Sequence, residues 1–198
     1  MEQDRPLDER DLDADPLAQF RRWYAEAEAA GGTRADAVAL ATATPDGAPS
    51  VRLVLLKAAD ERGLSFFTSY QSRKGRDLDA NPRAALVFHW APLGRQVRVE
   101  GPVERVAETE SDEYFATRPL GSRLSAAVSP QSEVIESREL LERARHALGE
   151  DVPRPAFWGG YRVLPTVWEF WQHRADRLHD RFRYRRVGGA WVRERLAP

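Results

Sequence analysis

The feature that most constrains this chain is how often its strand-like runs are interrupted. Ala37 to Ala43 reads as a strand, and Thr44-Pro45-Asp46-Gly47 as the turn that ends it. Ser50 to Lys57 is the next run, broken by Asp60-Glu61-Arg62-Gly63, and Leu64 to Thr68 is a third. Ala84 to Trp90 and Gln96 to Val106 flank the turn Pro92-Leu93-Gly94. After a helical stretch, strands resume at Gly160 to Leu164, Thr166 to Gln172, Arg183 to Val187 and Trp191 to Leu196. Gly188-Gly189 joins the last two as a hairpin. A doubly wound parallel sheet needs strict strand–helix alternation, which is missing. Short strands joined by tight turns predict a mainly β fold with peripheral α-helices, an antiparallel barrel with the helices packed outside it.

The helices announce themselves by caps and spacing. Asp15 precedes Pro16, an N-cap with proline at the first helical position. Leu17, Phe20, Tyr24 and Ala27 follow at helical spacing beside Trp23, and the helix is expected to end near Gly31-Gly32. Ser72 caps a short helix through Leu78, ahead of Asn81-Pro82. Ser111 to Thr117, Pro119 to Val128 and Ser137 to Leu148 complete the set, the last with Leu140, Leu141 and Ala144 on one face. Residues 1–14 are highly charged and are expected to form a mobile arm, with 15–198 as a single domain.

Composition excludes several functions. Lys plus Arg number 30 against 31 Asp plus Glu, a net charge of -1, so no global basic field exists to hold nucleic acid or an anionic membrane. The absence of cysteine removes disulfides, thiolate metal sites and a cysteine nucleophile, and it fits a reducing cytoplasm. No apolar run reaches about 18 residues, and the start lacks an apolar signal core, so a cytoplasmic protein without membrane spans is expected. His89, His146, His173 and His179 lack metal-ligand spacing, so no metal site is expected. No GxSxG elbow, GxGxxG or P-loop occurs.

Four clusters carry chemistry-bearing residues. Arg52-Leu53-Val54-Leu55-Leu56-Lys57 would put Arg52 on one strand face and Lys57, with Leu53 and Leu55, on the other. Taken alone it reads better as a barrel strand with charged ends. Phe67-Thr68-Ser69-Tyr70-Gln71-Ser72-Arg73-Lys74 joins hydroxyls and two cations to a helix start, which suits a phosphate or an ordinary capped surface helix. Tyr114 and Arg118 are four apart, with Ser122 four further on; together they could hold a phosphate monoester or form a solvated helix face. The fourth cluster, Trp168 to Arg181, sets tryptophans beside arginines and histidines. Arg177, His179 and Arg181 alternate as one face of an extended chain would, a face for an anionic or π-rich ligand.

That fourth segment resembles the signature of the pyridoxine/pyridoxamine 5'-phosphate oxidases, E-F-W-Q, four residues, then R-L-H-D-R. Asp15-Pro16 with Gln19-Phe20 and Trp23 resembles the opening helix of that family, and Arg52 to Lys57 its R-x-V-L-L-K strand. Ser72-Arg73-Lys74, Ser129-Pro130-Gln131-Ser132, Phe157-Trp158-Gly159-Gly160-Tyr161 and Arg195-Leu196-Ala197-Pro198 are similar too, in the family's order. The resemblance implies a split β-barrel binding FMN at a homodimer interface. It implies an oxidase that converts pyridoxamine or pyridoxine 5'-phosphate to pyridoxal 5'-phosphate, with dioxygen as acceptor and hydrogen peroxide as product.

By position, it assigns flavin contacts to Arg52, Lys57, Phe67, Thr68, Arg73, Lys74, Gln131 and Ser132, with Gln96, Trp171 and Arg181 reaching the flavin from the partner subunit. Lys57, Tyr114, Arg118 and Ser122 match contacts to the substrate phosphate. Arg177 and His179 match residues placed over the substrate ring, where they would orient it during catalysis. The chain departs from the family pattern at His173, where glycine is common, at Arg34-Ala35-Asp36, and in a short N-terminal arm. Two other readings share the fold: a flavin oxidase of the phenazine-biosynthesis type, and a non-catalytic flavin- or haem-binding barrel.

Overall fold

The computed structural model describes residues 6–31 and 34–198. Helix α1 (Pro16–Ala30) leads into strands β1 (Ala37–Ala43), β2 (Pro49–Leu55), β3 (Ala58–Asp60) and β4 (Gly63–Ser69). Helix α2 (Arg73–Ala80), β5 (Arg83–Trp90) and β6 (Arg95–Arg105) follow, then helices α3 (Glu108–Thr117), α4 (Leu120–Val128) and α5 (Arg138–Ala147). Strands β7 (Trp158–Val163), β8 (Val167–Gln172), β9 (Asp180–Val187) and β10 (Ala190–Leu196) close the chain. Among the described residues no helix is long and apolar enough to cross a membrane.

All described strand pairs are antiparallel, in the order β10-β9-β8-β6-β5-β1-β2. A second branch joins β3 to β4, β4 to β7 and β7 to the end of β6. Strand β6 therefore serves both branches. Its first part, Arg95 to Glu100, pairs with β8, and its last part, Val103 to Arg105, pairs with β7. Gly101 marks the change of partner, and a Cβ there would lie 1.9 Å from the Leu164 carbonyl oxygen. The result is the expected curled, split barrel.

Alternation builds the core. Val38 and Leu40, Leu86 and Phe88, Val97 and Val99, Trp168 and Phe170, and Phe182 and Tyr184 are all buried on one face of the long sheet. Helix α1 covers that face. Asp15 caps it, its side chain accepting from the Leu17 amide, with Pro16 in the first turn. Phe20 packs 4.9 Å from Phe88 and 5.4 Å from Trp168 (ring centroids), and Trp23 meets Phe170 edge-on at 5.3 Å.

Several expectations are corrected. The second strand ends at Leu55 rather than Lys57, because the Leu56 amide donates to the Asp36 carbonyl and the Lys57 amide to that of Ser65. Lys57 thus lies in the passage to β3, a strand too short to show a period. The arm expected to be mobile is packed over residues 6–14: Leu7 and Leu12 are buried, the Leu7 amide donates to Asp180, and the Tyr184 hydroxyl donates to the Asp13 carbonyl at 2.6 Å. Residues 1–5 of that arm, and Gly32 at the expected helix end, lie outside the described residues. Helix α5 fully buries none of its residues: among the described residues Leu141 is half-buried beside α4, while Leu140 and Ala144 stay exposed.

Candidate active site

A cavity of about 800 Å³ opens between β2, β4, the start of α2, and helices α3 and α4. Arg52, Lys57, Phe67, Thr68, Arg73, Lys74, Tyr114, Arg118, Ser122, Gln131 and Ser132 all line it. Sequence positions 52 to 132 are thus brought to one place, and the two sets expected to meet separate phosphates share one space.

One wall is a cradle built on the α2 N-terminus. Ser72 caps the helix, its hydroxyl accepting from the Gly75 amide. Lys74 Nζ donates to Thr68 Oγ1 at 3.2 Å and to Ser72 Oγ and Gln131 Oε1 at 3.3 Å. The Arg73 amide donates to Ser132 Oγ, which stitches the 129–133 loop to the helix start. Burial first, and the Arg52 charge second, push Lys74 down to about 8. Arg52 donates to Thr42 Oγ1 and Ser50 Oγ at 2.7 Å, with the Asp77 carboxylate 3.7 Å away. Three crowded cations beside helix amides form a place for a dianion. The donor set therefore fits the terminal phosphate of FMN.

The opposite wall is aromatic. Tyr114 stacks on Phe67 at 4.1 Å, Phe67 on Trp158 at 5.6 Å, and the Arg118 guanidinium lies 4.6 Å from the Trp158 ring centroid. Gly160 makes the stack possible, since a Cβ there would come within 2.8 Å of the Phe67 ring. Arg118 ends α3 with extended backbone, so Tyr114 and Arg118 do not share a continuous helix face, and Ser122 sits in the next helix. The break at Pro119 brings all three to the cavity. Burial lowers the Arg118 pKa, and its Nη1 is buried without a hydrogen-bond partner. Lys57 lies 3.6 Å from Asp36.

The remaining sequence-derived residues lie elsewhere: Gln96, Trp171, Arg177, His179 and Arg181 do not line this cavity. Gln96 pairs with Trp171 across β6 and β8, and Trp171 with Arg181 across β8 and β9, so the three form one row on the face turned away from the core. Arg177 leaves the expected alternating face. Asp176 and Arg177 have left-handed backbone, φ 55 and 62, in the turn before β9, so only His179 and Arg181 keep the alternation. Asp77, Thr42, Asp36 and Trp158 were not foreseen as parts of the site. Only Trp158 carried a signal, inside the Phe157 to Tyr161 motif.

Residues 25–148 match the family described as pyridoxamine 5'-phosphate oxidase, and residues 158–198 match the pyridoxine 5'-phosphate oxidase C-terminal dimerisation region. The chain is 56% identical over 197 residues to the pyridoxine/pyridoxamine 5'-phosphate oxidase of Cupriavidus pinatubonensis, covering 97% of this chain and 93% of that protein. Its identity to the protein of the same name from Rubrobacter xylanophilus is 57% over 197 residues, with 97% and 91% covered. Among solved structures, PhzG from Burkholderia lata 383, in complex with tetrahydrophenazine-1-carboxylic acid, aligns with a TM-score of 0.93 at 35% identity, covering 99% of this chain and 100% of that one. A pyridoxamine 5'-phosphate oxidase-related, FMN-binding protein from Nostoc punctiforme PCC 73102 shares the fold, with a TM-score of 0.76 at 18% identity and 90% and 97% covered.

Proposed function

The chain belongs to the pyridoxamine 5'-phosphate oxidase family, and on that premise we propose how its cavity divides between cofactor and substrate. The protein is an FMN-dependent oxidase that forms pyridoxal 5'-phosphate from pyridoxamine or pyridoxine 5'-phosphate. The observation that carries the division is that one cavity holds two cationic, hydroxyl-bearing walls. In our reading Arg52, Thr68, Arg73, Lys74, Gln131 and Ser132 hold the FMN phosphate and ribityl chain, with Phe67 beside them. Lys57, Tyr114, Arg118 and Ser122 hold the substrate phosphate, with Lys57 at the boundary of the two subsites.

The active unit is a cytoplasmic homodimer. Gln96, Trp171 and Arg181 complete the flavin site of the partner subunit, and Arg177 and His179 cover the substrate ring there. The match of residues 158–198 to a dimerisation region supports this, as does the absence of these five residues from the cavity wall of their own chain.

FMN, which Arg52, Thr68, Arg73, Lys74, Gln131 and Ser132 would hold, would supply the redox chemistry for oxidation at the substrate C4′ carbon, with dioxygen as the final acceptor and hydrogen peroxide as product. The residues of the chain orient and enclose. Arg118, held against Trp158, offers its unpartnered Nη1 to a phosphate oxygen. The Tyr114–Phe67–Trp158 stack excludes water from one side of the cavity. Fixing the substrate by its phosphate places the reacting carbon, a contribution from proximity rather than from acid–base chemistry.

Anaerobic mixing of the FMN-loaded protein with pyridoxamine 5'-phosphate should bleach the flavin, and admitting air should release peroxide. The unphosphorylated amine should bleach it far more slowly at equal concentration. Equal rates for the two would remove the phosphate subsite and favour an oxidase of the phenazine-biosynthesis type.

A further inference from the structure

The reversal between β8 and β9 gathers three rings whose joint arrangement the assignment above does not explain. The two strands are paired as far as Gln172 and Asp180. His173 and His179 stand one step beyond, on the face that carries Trp171 and Arg181. The rings of His173 and His179 are 5.3 Å apart, and that of His179 lies 4.5 Å from Trp171. His173 is anchored by its amide, which donates to the Gly94 carbonyl at 2.7 Å.

A backbone bond decides the state of His179. The Arg174 amide donates to His179 Nδ1 at 3.1 Å. A nitrogen that accepts carries no proton, so the neutral ring bears its hydrogen on Nε2. Protonating Nδ1 would set two donors against each other. The charged groups around His179 oppose protonation as well. His173 and Arg181 share its face and Arg177 acts on it from the turn, while the adjacent Asp180 carboxylate is already engaged by Arg195 at 2.8 Å and lies 4.0 Å from Arg174. Partial burial first, then His173, Arg177 and Arg181, hold His179 below the ordinary histidine range.

We propose that His173 is a positioning residue for the oxidation, which together with the Arg174 amide fixes the His179 ring as a neutral hydrogen-bond donor at Nε2 toward an acceptor on the substrate ring. This inference rests on the reading that His179 covers the substrate. In it His179 donates to the substrate and takes no proton from it. Arg177 cannot replace His173, because its left-handed turn takes it out of the alternating row.

Nitrogen-15 spectra of histidine-labelled, FMN-loaded protein test the arrangement without turnover. Wherever its ring is neutral, the wild-type His179 should show unprotonated Nδ1 and protonated Nε2. His173→Phe keeps a ring and removes the imidazole. The His179 titration should then rise, since His173 is one of the groups that hold it down. The acid limb of kcat/KM for pyridoxamine 5'-phosphate should move by the same amount, with FMN affinity unchanged. His173→Gly should also mix the two His179 tautomers. An Nδ1–H tautomer in the wild type would overturn the proposal, as would a titration and acid limb that neither variant moves. The wild-type spectrum decides the tautomer even if a variant is unstable. If the wild-type protein oxidises neither phosphorylated vitamer, the functional reading falls, while the spectra still judge the ring pair.

Discussion

Arg118 is a buried cation with one unpartnered donor, held over an indole ring. Such a group is stabilised when an anion arrives. Arg118→Ala should therefore lose about 1.5–3 kcal/mol of substrate phosphate binding. The KM for pyridoxamine 5'-phosphate should rise at least about tenfold in steady-state assays, with FMN affinity little changed. Equal losses of both affinities would show that Arg118 had been given to the wrong phosphate.

Lys74 makes a different prediction. Its pKa stands near 8 because burial and Arg52 disfavour its charge, and a bound dianion would restore that charge. Below about pH 8 the lysine is already protonated, so FMN affinity should be flat. Above it, binding must take up a proton, and affinity should fall as pH rises toward 9.5. Flavin fluorescence titrations should show this fall in the wild type, and a weaker but flat alkaline profile in Lys74→Met. The same depressed pKa acts on stability: the unfolded chain binds more protons between about pH 8 and its ordinary 10.5, so the protein without FMN gains stability across that window.

At the scale of elements, α1 holds the open face of the barrel through a few large rings. Phe20→Ala removes a side chain that is 1% exposed, so it should cost about 3–5 kcal/mol in urea unfolding. A loss below about 1 kcal/mol would mean that α1 is not part of the cooperative core. This helix was legible because cap, proline and apolar spacing agree locally. The long strands were legible because one face of each is buried and the turns between them are explicit. What escaped depended on distant partners or on backbone sign. Strand β3 is three residues long and exists because β4 is there to pair with it. Residues 6–14 read as solvated by composition, yet Leu7 and Leu12 meet strands from the other end of the chain. Alternation fits His179 and Arg181 but not Arg177, which itself sits with Asp176 in a left-handed turn where the strand period does not apply. In the site, cations and hydroxyls were visible as clusters, whereas the Thr42–Asp77 bond, 2.6 Å long, joins residues 35 apart in sequence.

The whole molecule is larger than one chain in our reading. Val51 and Leu53, 69% and 72% exposed on the edge strand β2, leave apolar surface at the rim of the cavity. Light scattering should give about twice the 22.4 kDa chain mass. Leu53→Asp should shift the protein toward monomer and release FMN together with the partner contacts. A monomeric variant that still holds FMN tightly would contradict the shared site.

Strand β6, with a different partner for each part of its far edge, also has a consequence during synthesis. Its pairing with β5 is available at once through a short turn, but its other edge waits for β7 and β8. At about 5–20 residues per second, the roughly 70 residues between that edge and the end of β8 take several seconds to emerge from the ribosome. Throughout that interval a nascent hairpin presents an unpaired edge, the geometry that recruits other chains. The edge carries Arg95, which in the finished protein meets Glu26 and Gln172, and Arg98, which meets Glu169 and its own neighbour Glu100. These charges guard the half-made chain before they serve the folded one. Replacing Arg98 with valine would therefore reduce soluble yield in the cell more than it would lower the melting temperature of the molecules that survive.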